Sequence, residues 1–144
     1  MTHSIRAREP RGDASPAAID TSPEAVAAHL EDAAHFPGGR ADGIARPRTE
    51  GEVAGLLMAA THVLPIGAQS SVTGGAAPTG GLLLSTGRLT SIHEAGQSHV
   101  RVGAGVPLDT LQKRLSDRGL WYAPAPTYTG AFDHVRDLFA ATPQ

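Results

Sequence analysis

A loop of small residues in the middle of the chain has residue types that suit the binding of a phosphate group. Its members are Ile66, Gly67, Ala68, Gln69, Ser70, Ser71, Val72, Thr73, Gly74 and Gly75. Glycine permits positive φ and a close approach of the backbone to a ligand, while free N–H groups and hydroxyls can donate hydrogen bonds to an anion. These residues predict a pyrophosphate-binding loop.

Two familiar nucleotide signatures fit this chain poorly. A Walker loop requires a lysine followed by Ser or Thr, and residues 67–76 contain no lysine. A Rossmann fingerprint can be sought at Gly103-Ala104-Gly105, but Leu108 stands where its third glycine belongs. Asp109 would also bring negative charge to the first turn of the helix. A tight strand-to-helix turn is the simpler interpretation of that segment.

The elements before the loop are predicted to be a strand, a helix and a second strand. Gly43–Pro47 is a brief extended piece, and Thr49 with Glu52 forms a capping box that begins a helix reaching about His62. The apolar residues on the inner face of this helix are Val53, Leu56, Leu57 and Ala60. Val63–Gly67 is predicted to be a buried strand. The glycine loop therefore follows the carboxyl end of a strand, where open α/β sheets bind ligands.

The segments after the loop add mainly extended structure. Gly81–Thr86 is predicted to be a strand, and Ser91–Glu94 with His99–Gly103 a β-hairpin. A further helix, stopped at Gly119, has an inner face formed by Leu108, Leu111, Gln112 and Leu115. Trp121 is expected to pack beneath this helix. The order of elements favours an α+β fold with a small mixed sheet over a regularly alternating doubly wound sheet.

The amino-terminal segment lacks hydrophobic periodicity. Met1–Thr21 mixes Arg, Pro, Ser and Ala, and is expected to be a disordered tail. Ser22 then has the character of an N-cap, with Pro23 at the first helical position and Glu24 in the first turn. We expect a helix from this point to about Ala34.

The composition excludes several functional classes. The 144 residues suffice for one domain, and aromatic residues at 4% with a net charge of −2 argue against nucleic acid as a partner. There is no cysteine, which excludes disulfides, thiolate metal sites and cysteine nucleophiles. No apolar run approaches the roughly 20 residues that span a bilayer, and the first residues lack the apolar core expected of a secretory signal. We expect a cytoplasmic protein.

Four blocks of the sequence together resemble one family of FAD-binding domains. The blocks lie at 45–60, 66–76, 80–92 and 100–120. Their order and spacing resemble the amino-terminal PCMH-type FAD-binding module of the vanillyl-alcohol oxidase / p-cresol methylhydroxylase superfamily. Within it, the chain is similar to the branch of FAD-linked oxidases that includes D-lactate dehydrogenases and glycolate oxidase subunits. The resemblance covers roughly residues 36–132.

The resemblance implies that the glycine loop wraps the FAD pyrophosphate, as the residue types predict. It also implies that Tyr128, Thr129 and Gly130 approach the flavin. Some members of the family attach the flavin through a histidine in the glycine loop. Because this loop has no histidine, dissociable, non-covalent FAD is implied. Intact relatives would oxidise a 2-hydroxy acid or a similar alcohol.

The sequence departs from the family pattern after Phe132. Asp133–Asp137 places bulky charged residues where the family has a pair of glycines. The expected organisation is a tail at 1–21, a partial FAD-binding domain at 22–132 and a divergent tail at 133–144. The chain thus resembles a truncated member, and no residue can be named as a catalytic base. Whether the chain is an active enzyme stays open, with a non-catalytic fragment or a small nucleotide-binding or interaction module as the alternative.

The residue types also allow two other kinds of site to be considered, a metal site and a hydrolytic triad. The seven histidines form no closely spaced pair on one predicted element, so solvated histidines are favoured over a metal site. Ser70, His134 and Asp137 could compose a hydrolytic triad, but the G-x-S-x-G elbow that would expose such a serine is missing. We therefore expect neither a metal nor a hydrolase.

Overall fold

The computed structural model describes residues 15–93 and 100–121. Its strands and helices, in chain order, are β1 Ile19–Asp20, α1 Pro23–Ala27, β2 Gly43–Ala45, α2 Glu50–Ala59, β3 Val63–Ile66, β4 Leu82–Ser85 and α3 Leu108–Ser116. A short 3-10 turn over Thr86–Arg88 follows β4 directly. This arrangement confirms the predicted α+β class with a small mixed sheet flanked by helices.

The four strands form one sheet in the order β1-β2-β4-β3. β4 pairs in parallel with both β2 and β3, whereas β1 pairs antiparallel to β2. The carboxyl ends of the three parallel strands therefore lie at one edge of the sheet. The glycine loop begins at this edge, immediately after β3, as the sequence predicts.

The core lies on both faces of the central strand β4. Leu82 and Leu84 pack on one face with Leu56 of α2, and Leu83 packs on the other with Ile44 and Ile66. Successive side chains of a strand point to opposite faces, so a continuous apolar run indicates burial on both sides. β4 is thereby held rigidly between its two parallel neighbours.

Strand β3 is less buried than the sequence suggests. It lies at the edge of the sheet, and only Ile66 of its four residues is fully buried. Pro65 is exposed on this strand, where a missing N–H removes no bond from the sheet interior. The predicted strand is present, but its predicted burial holds only for Ile66.

The capping box of α2 is confirmed, but its predicted inner face is only partly correct. The Glu52 N–H donates to the Thr49 hydroxyl at 3.1 Å, while the Glu52 carboxylate accepts from the Arg48 N–H at 2.6 Å. Leu56 is buried and Val53 packs against the core, but Leu57 is 56% exposed. The helix ends at Ala59, since Ala60 already has an extended conformation.

The amino-terminal predictions need correction. Ile19 and Asp20, placed in the disordered tail, pair with Ala45 and Ile44 of β2. Ser22 occupies the predicted N-cap position, with Pro23 and Glu24 in the first turn, but its hydroxyl donates to the Asp20 carboxylate at 2.7 Å and makes no capping bond to α1. Helix α1 stops at Ala27, well before the expected Ala34, and the His29 N–H donates to the Val26 carbonyl at 2.9 Å in a tighter turn. Residues 1–14 lie outside the described part of the chain.

The region after β4 agrees more closely with the prediction. Ile92 bridges Val102 in antiparallel fashion, as in the predicted hairpin, whose turn lies outside the described residues. Leu111 and Leu115 are the buried residues of α3. Gly119 has φ +68°, and the Leu120 N–H donates to the Leu115 carbonyl at 2.9 Å. Gly119 therefore ends the helix as predicted.

Trp121 does not pack beneath α3. Its side chain is 72% exposed in the part of the chain that the structure describes. In the described ranges, no helix is long and apolar enough to cross a membrane.

Candidate functional site

The glycine loop starts from a fixed point at the carboxyl edge of the sheet. The Thr86 hydroxyl, just after β4, donates to the Ile66 carbonyl at the end of β3, over 3.2 Å. This bond joins the ends of two neighbouring parallel strands. A Cβ added to Gly67 would meet only the Thr86 hydroxyl, at 3.7 Å. The loop therefore leaves the sheet with a defined direction and little crowding.

Gln69 attaches the loop to the segment after α1. Its side-chain Nε2 lies 3.0 Å from the His29 carbonyl, 3.1 Å from that of Glu31 and 3.0 Å from that of Ala76. The backbone carbonyl of Gln69 accepts from the Ala33 N–H at 3.0 Å. Its φ of +49° is uncommon for a residue with a side chain, and these bonds hold it there. The Gln69 amide thus points inward and positions the loop.

Ser71 organises the second half of the loop. Its Oγ accepts from the N–H groups of Thr73 at 3.3 Å and Gly75 at 3.1 Å. The Ser71 and Thr73 hydroxyls are also 3.3 Å apart. The backbone between Ser71 and Gly75 is therefore folded around one hydroxyl oxygen.

Gly74 is required by both its conformation and its surroundings. Its φ is +78°, and a Cβ built on it would lie 3.0 Å from two ring atoms of Phe36. The Phe36 side chain is itself 55% exposed beside the loop. An alanine here would have to adopt a rare conformation and displace an aromatic ring.

The outer surface of the loop offers hydrogen-bond donors to solvent. Ser70 and Thr73 are exposed, and Val72 is 60% exposed at the tip. Within the described ranges, no hydrogen bond uses the Ser70 hydroxyl or the backbone N–H groups of Ala68, Ser70 and Val72. These groups can donate to an anion without first breaking an internal bond.

Asp32 is a component of the site that the sequence analysis missed. It is only 4% exposed, and Oδ1 accepts from the Ala34 N–H at 3.0 Å. Oδ2 is buried with no hydrogen-bond partner in the described part of the chain. Aspartate is usually exposed, and no motif marks this one in the sequence. The burial of Asp32 becomes apparent only in the folded structure, where residues 28–34 pack against the glycine loop.

The surroundings of Asp32 stabilise its charged form. Burial raises the pKa of Asp32, whereas the Ala34 N–H and the Ser71 hydroxyl lower it. The backbone N–H groups of Ala76 and Phe36 act in the same direction, and the net result is a pKa below the ordinary value. These donors surround the carboxylate, but none meets hydrogen-bond geometry at Oδ2. An anionic side chain therefore lies directly behind the loop.

Other predicted site residues are not described by the structure. Tyr128, Thr129 and Gly130 lie outside the described residues, as do His134 and Asp137 of the hypothetical triad. Among the residues that are described, no group of three or more His, Asp or Glu side chains could hold a metal ion.

The chain matches the model of a known protein family. The family model described as FAD binding domain matches residues 41–131, more than half of the sequence, so the chain belongs to this family. No curated protein matches it significantly. The match includes the complete glycine loop, helix α2 and the three parallel strands β2, β3 and β4.

The geometry of the loop fits the diphosphate of FAD. The loop combines glycines that keep Cβ atoms away with the Ser70 hydroxyl and the N–H groups of Ala68, Ser70 and Val72, which have no internal partner among the described residues. A diphosphate needs several donors and no bulky side chains, which is what this surface provides. The fit rests on backbone and hydroxyl groups, since residues 66–76 include neither lysine nor arginine.

Proposed function

We propose that the chain binds FAD non-covalently, with the diphosphate on the loop of residues 66–75, and is the FAD-binding module of a flavin-dependent oxidoreductase. The observation that carries this proposal is the set of exposed, internally unused donors on a glycine loop at the carboxyl edge of parallel strands. Membership of the FAD binding domain family supports the choice of FAD over other anions.

The loop residues divide into those that contact the diphosphate and those that shape the loop. Ser70 and Thr73 present hydroxyls, and the backbone around Ala68 and Val72 presents N–H groups. Gln69 and Ser71 hold the backbone through internal hydrogen bonds. Without a histidine in the loop there is no side chain of the kind that links flavin covalently there, which supports a dissociable cofactor.

Bound FAD would accept a hydride from a substrate C–H bond, and the protein would hold the cofactor in position. We extend the proposal to a 2-hydroxy acid or a similar alcohol as the substrate class of intact relatives, and to Tyr128, Thr129 and Gly130 as residues near the flavin. Both extensions depend on the resemblance to FAD-linked oxidases. A cytoplasmic location, a domain ending near residue 132 and the absence of a nucleic-acid partner remain predictions from the sequence.

The alternative is a nucleotide-binding module without catalysis of its own. The family match ends at residue 131, and Asp133 and His134 stand where the family pattern has glycines. Bulky side chains there would hinder the approach of the backbone to a flavin ring. This alternative keeps FAD or ADP binding and removes turnover.

Reconstitution of the purified full chain tests the proposal. The protein is incubated with FAD, passed through a desalting column and examined for flavin absorbance and quenched fluorescence. Retained flavin that is released by acid denaturation supports non-covalent binding. Riboflavin, which lacks the diphosphate, serves as the control ligand and should not be retained. Loss of all flavin at tens of micromolar protein would contradict the proposal.

A further inference from the structure

Phe36 places an aromatic ring against the diphosphate loop. A Cβ built on Gly74 would lie 3.0 Å from two atoms of this ring and 3.5 Å from the Phe36 Cβ, so the ring packs directly on the glycine backbone. Phe36 is nevertheless 55% exposed. One part of its side chain therefore contacts the loop, and the remainder faces solvent beside the proposed diphosphate site.

A hydrogen-bonded turn before Phe36 fixes its position. The His35 N–H donates to the Asp32 carbonyl at 2.9 Å, which closes the turn. The Ala33 N–H donates to the Gln69 carbonyl at 3.0 Å, which joins the turn to the glycine loop. His35 has a φ of +52°, a conformation that is uncommon for a residue with a side chain. The direction in which the chain enters Phe36 is thus determined by contacts with the loop itself.

The location of the ring gives its exposure a meaning. A single exposed apolar side chain is ordinary on a protein surface and needs no explanation. Phe36, however, is held against a loop whose unused donors suit a diphosphate. FAD carries one planar ring system on each side of its diphosphate, adenine and isoalloxazine. Aromatic side chains bind such flat rings by stacking, with little dependence on the identity of the ring.

We propose that Phe36 is a specificity residue of the cofactor site and stacks against one of the two planar ring systems of FAD. This inference rests on the proposed FAD binding and adds an apolar contact to a site otherwise made of hydrogen-bond donors. The loop alone would accept any diphosphate, whereas Phe36 favours a diphosphate that carries an aromatic ring. Gly74 contributes to the same contact, because a Cβ at this position would push the ring away from the loop.

The experiment compares three ligands on the full chain and its variants. FAD is measured by fluorescence titration, and ADP and inorganic pyrophosphate are measured by competition with FAD. Phe36→Ala should weaken FAD binding about tenfold, in the range of a lost stacking contact, and should leave pyrophosphate binding unchanged. Phe36→Tyr keeps the ring and should bind FAD as the wild type does, whereas Phe36→Leu should bind it more weakly. Met58→Ala, which removes another exposed apolar side chain on α2, is the matched control and should bind FAD normally.

ADP identifies the ring that is stacked. If the ring is adenine, Phe36→Ala weakens the binding of ADP and FAD by the same factor. If the ring is isoalloxazine, only FAD binding is weakened. Nuclear Overhauser effects between the Phe36 ring protons and protons of adenine or isoalloxazine, measured on the FAD complex of the full chain, give the same assignment independently.

The possible failures separate this inference from the proposed function. Failure of the wild-type chain to bind FAD overturns both. Wild-type binding with an unchanged FAD affinity in Phe36→Ala overturns only the role of Phe36. A loss of pyrophosphate binding as large as the loss of FAD binding does the same, since Phe36 would then only support the loop. If Phe36→Ala does not fold, or if pyrophosphate does not compete, the Overhauser effects decide, and their absence contradicts stacking.

Discussion

Nδ1 of His29 lies 2.9 Å from Oε1 of Gln69, although 40 residues separate them in sequence. The same glutamine also reaches the carbonyls of His29, Glu31 and Ala76 with its nitrogen. One side chain thus connects the glycine loop both to the segment after α1 and to its own far end. The shape of the loop depends on residues that are distant in sequence.

Replacing Gln69 should destabilise the loop and the fold. Gln69→Ala removes the side-chain hydrogen bonds to one exposed and two partly buried carbonyls, for an expected loss of about 1–3 kcal/mol in the free energy of unfolding. His29→Ala removes only the ring contact and should cost about 0.5–1.5 kcal/mol. Urea unfolding of both variants measures the difference. Equal stability of Gln69→Ala and wild type would show that these contacts contribute nothing.

Gly74 should tolerate substitution less well than Gly67. Gly74→Ala places a side chain at positive φ, which costs about 1–2 kcal/mol, and adds a contact with Phe36. Gly67→Ala would make only an ordinary van der Waals contact with the Thr86 hydroxyl and should change stability by less than about 0.5 kcal/mol. Thermal unfolding compares the two variants. Combining Gly74→Ala with Phe36→Ala should recover only the steric part, and full recovery would exclude backbone strain as a cause.

The parts of the fold that were predictable are those determined by local chemistry. Thr49 and Glu52 form a capping box from adjacent residues, and Leu111 with Leu115 follows helical periodicity. The small residues of the loop predicted its place after β3 because no other element tolerates such a composition. In each case, neighbours in sequence supply most of the interaction.

The parts that were missed depend on contacts between distant segments. Ile19 and Asp20 become a strand only because β2 offers an open edge, and no pattern in their own segment indicates it. Leu57 and Trp121 have apolar side chains, yet no element within residues 15–93 and 100–121 covers them. The burial of Asp32 likewise depends on the glycine loop folding over it. Hydrophobicity alone cannot specify such partners.

Acid should weaken the fold through two carboxylates. The pKa of Asp20 is lowered by the hydroxyl and N–H of Ser22 and by Arg46, and that of Asp32 by the hydrogen bonds around the loop. A folded-state pKa below the ordinary 3.8 means that the folded protein binds fewer protons than the unfolded chain. The stability from these groups is fully present above that value and is lost as the pH falls through the folded-state pKa.

Unfolding measured by urea between pH 3 and pH 7 tests the acid effect. Wild-type stability should decrease as the pH falls below about 4, where these two carboxyl groups bind protons in the unfolded chain before they do in the folded protein. Asp20→Asn and Asp32→Asn should each make the free energy of unfolding depend less on pH. The double variant should show the smallest dependence. If the free energy of unfolding of the double variant fell with pH as steeply as that of the wild type, other groups would be the cause of the acid sensitivity.

The central strand should be the most sensitive part of the core. Leu83 is fully buried between Ile44 and Ile66, so Leu83→Ala should lower the free energy of unfolding by about 2–5 kcal/mol. Met58→Ala on α2 is the matched control, since Met58 is 80% exposed and its loss should cost less than about 0.5 kcal/mol. Calorimetry or urea unfolding distinguishes them. If Leu83→Ala and Met58→Ala lowered the free energy of unfolding by similar amounts, Leu83 would not be a central residue of the core.

The location of the ligand on the glycine loop is the central claim and can be measured directly by NMR. Uniformly ¹⁵N-labelled full chain is titrated with FAD while the backbone amide resonances are followed. The account predicts that the largest shifts occur in residues 67–75 and that riboflavin does not reproduce them. Shifts concentrated elsewhere, for example in the surface groove that includes Thr61–Leu64 and Thr79–Gly81, or no shifts at all, would contradict it.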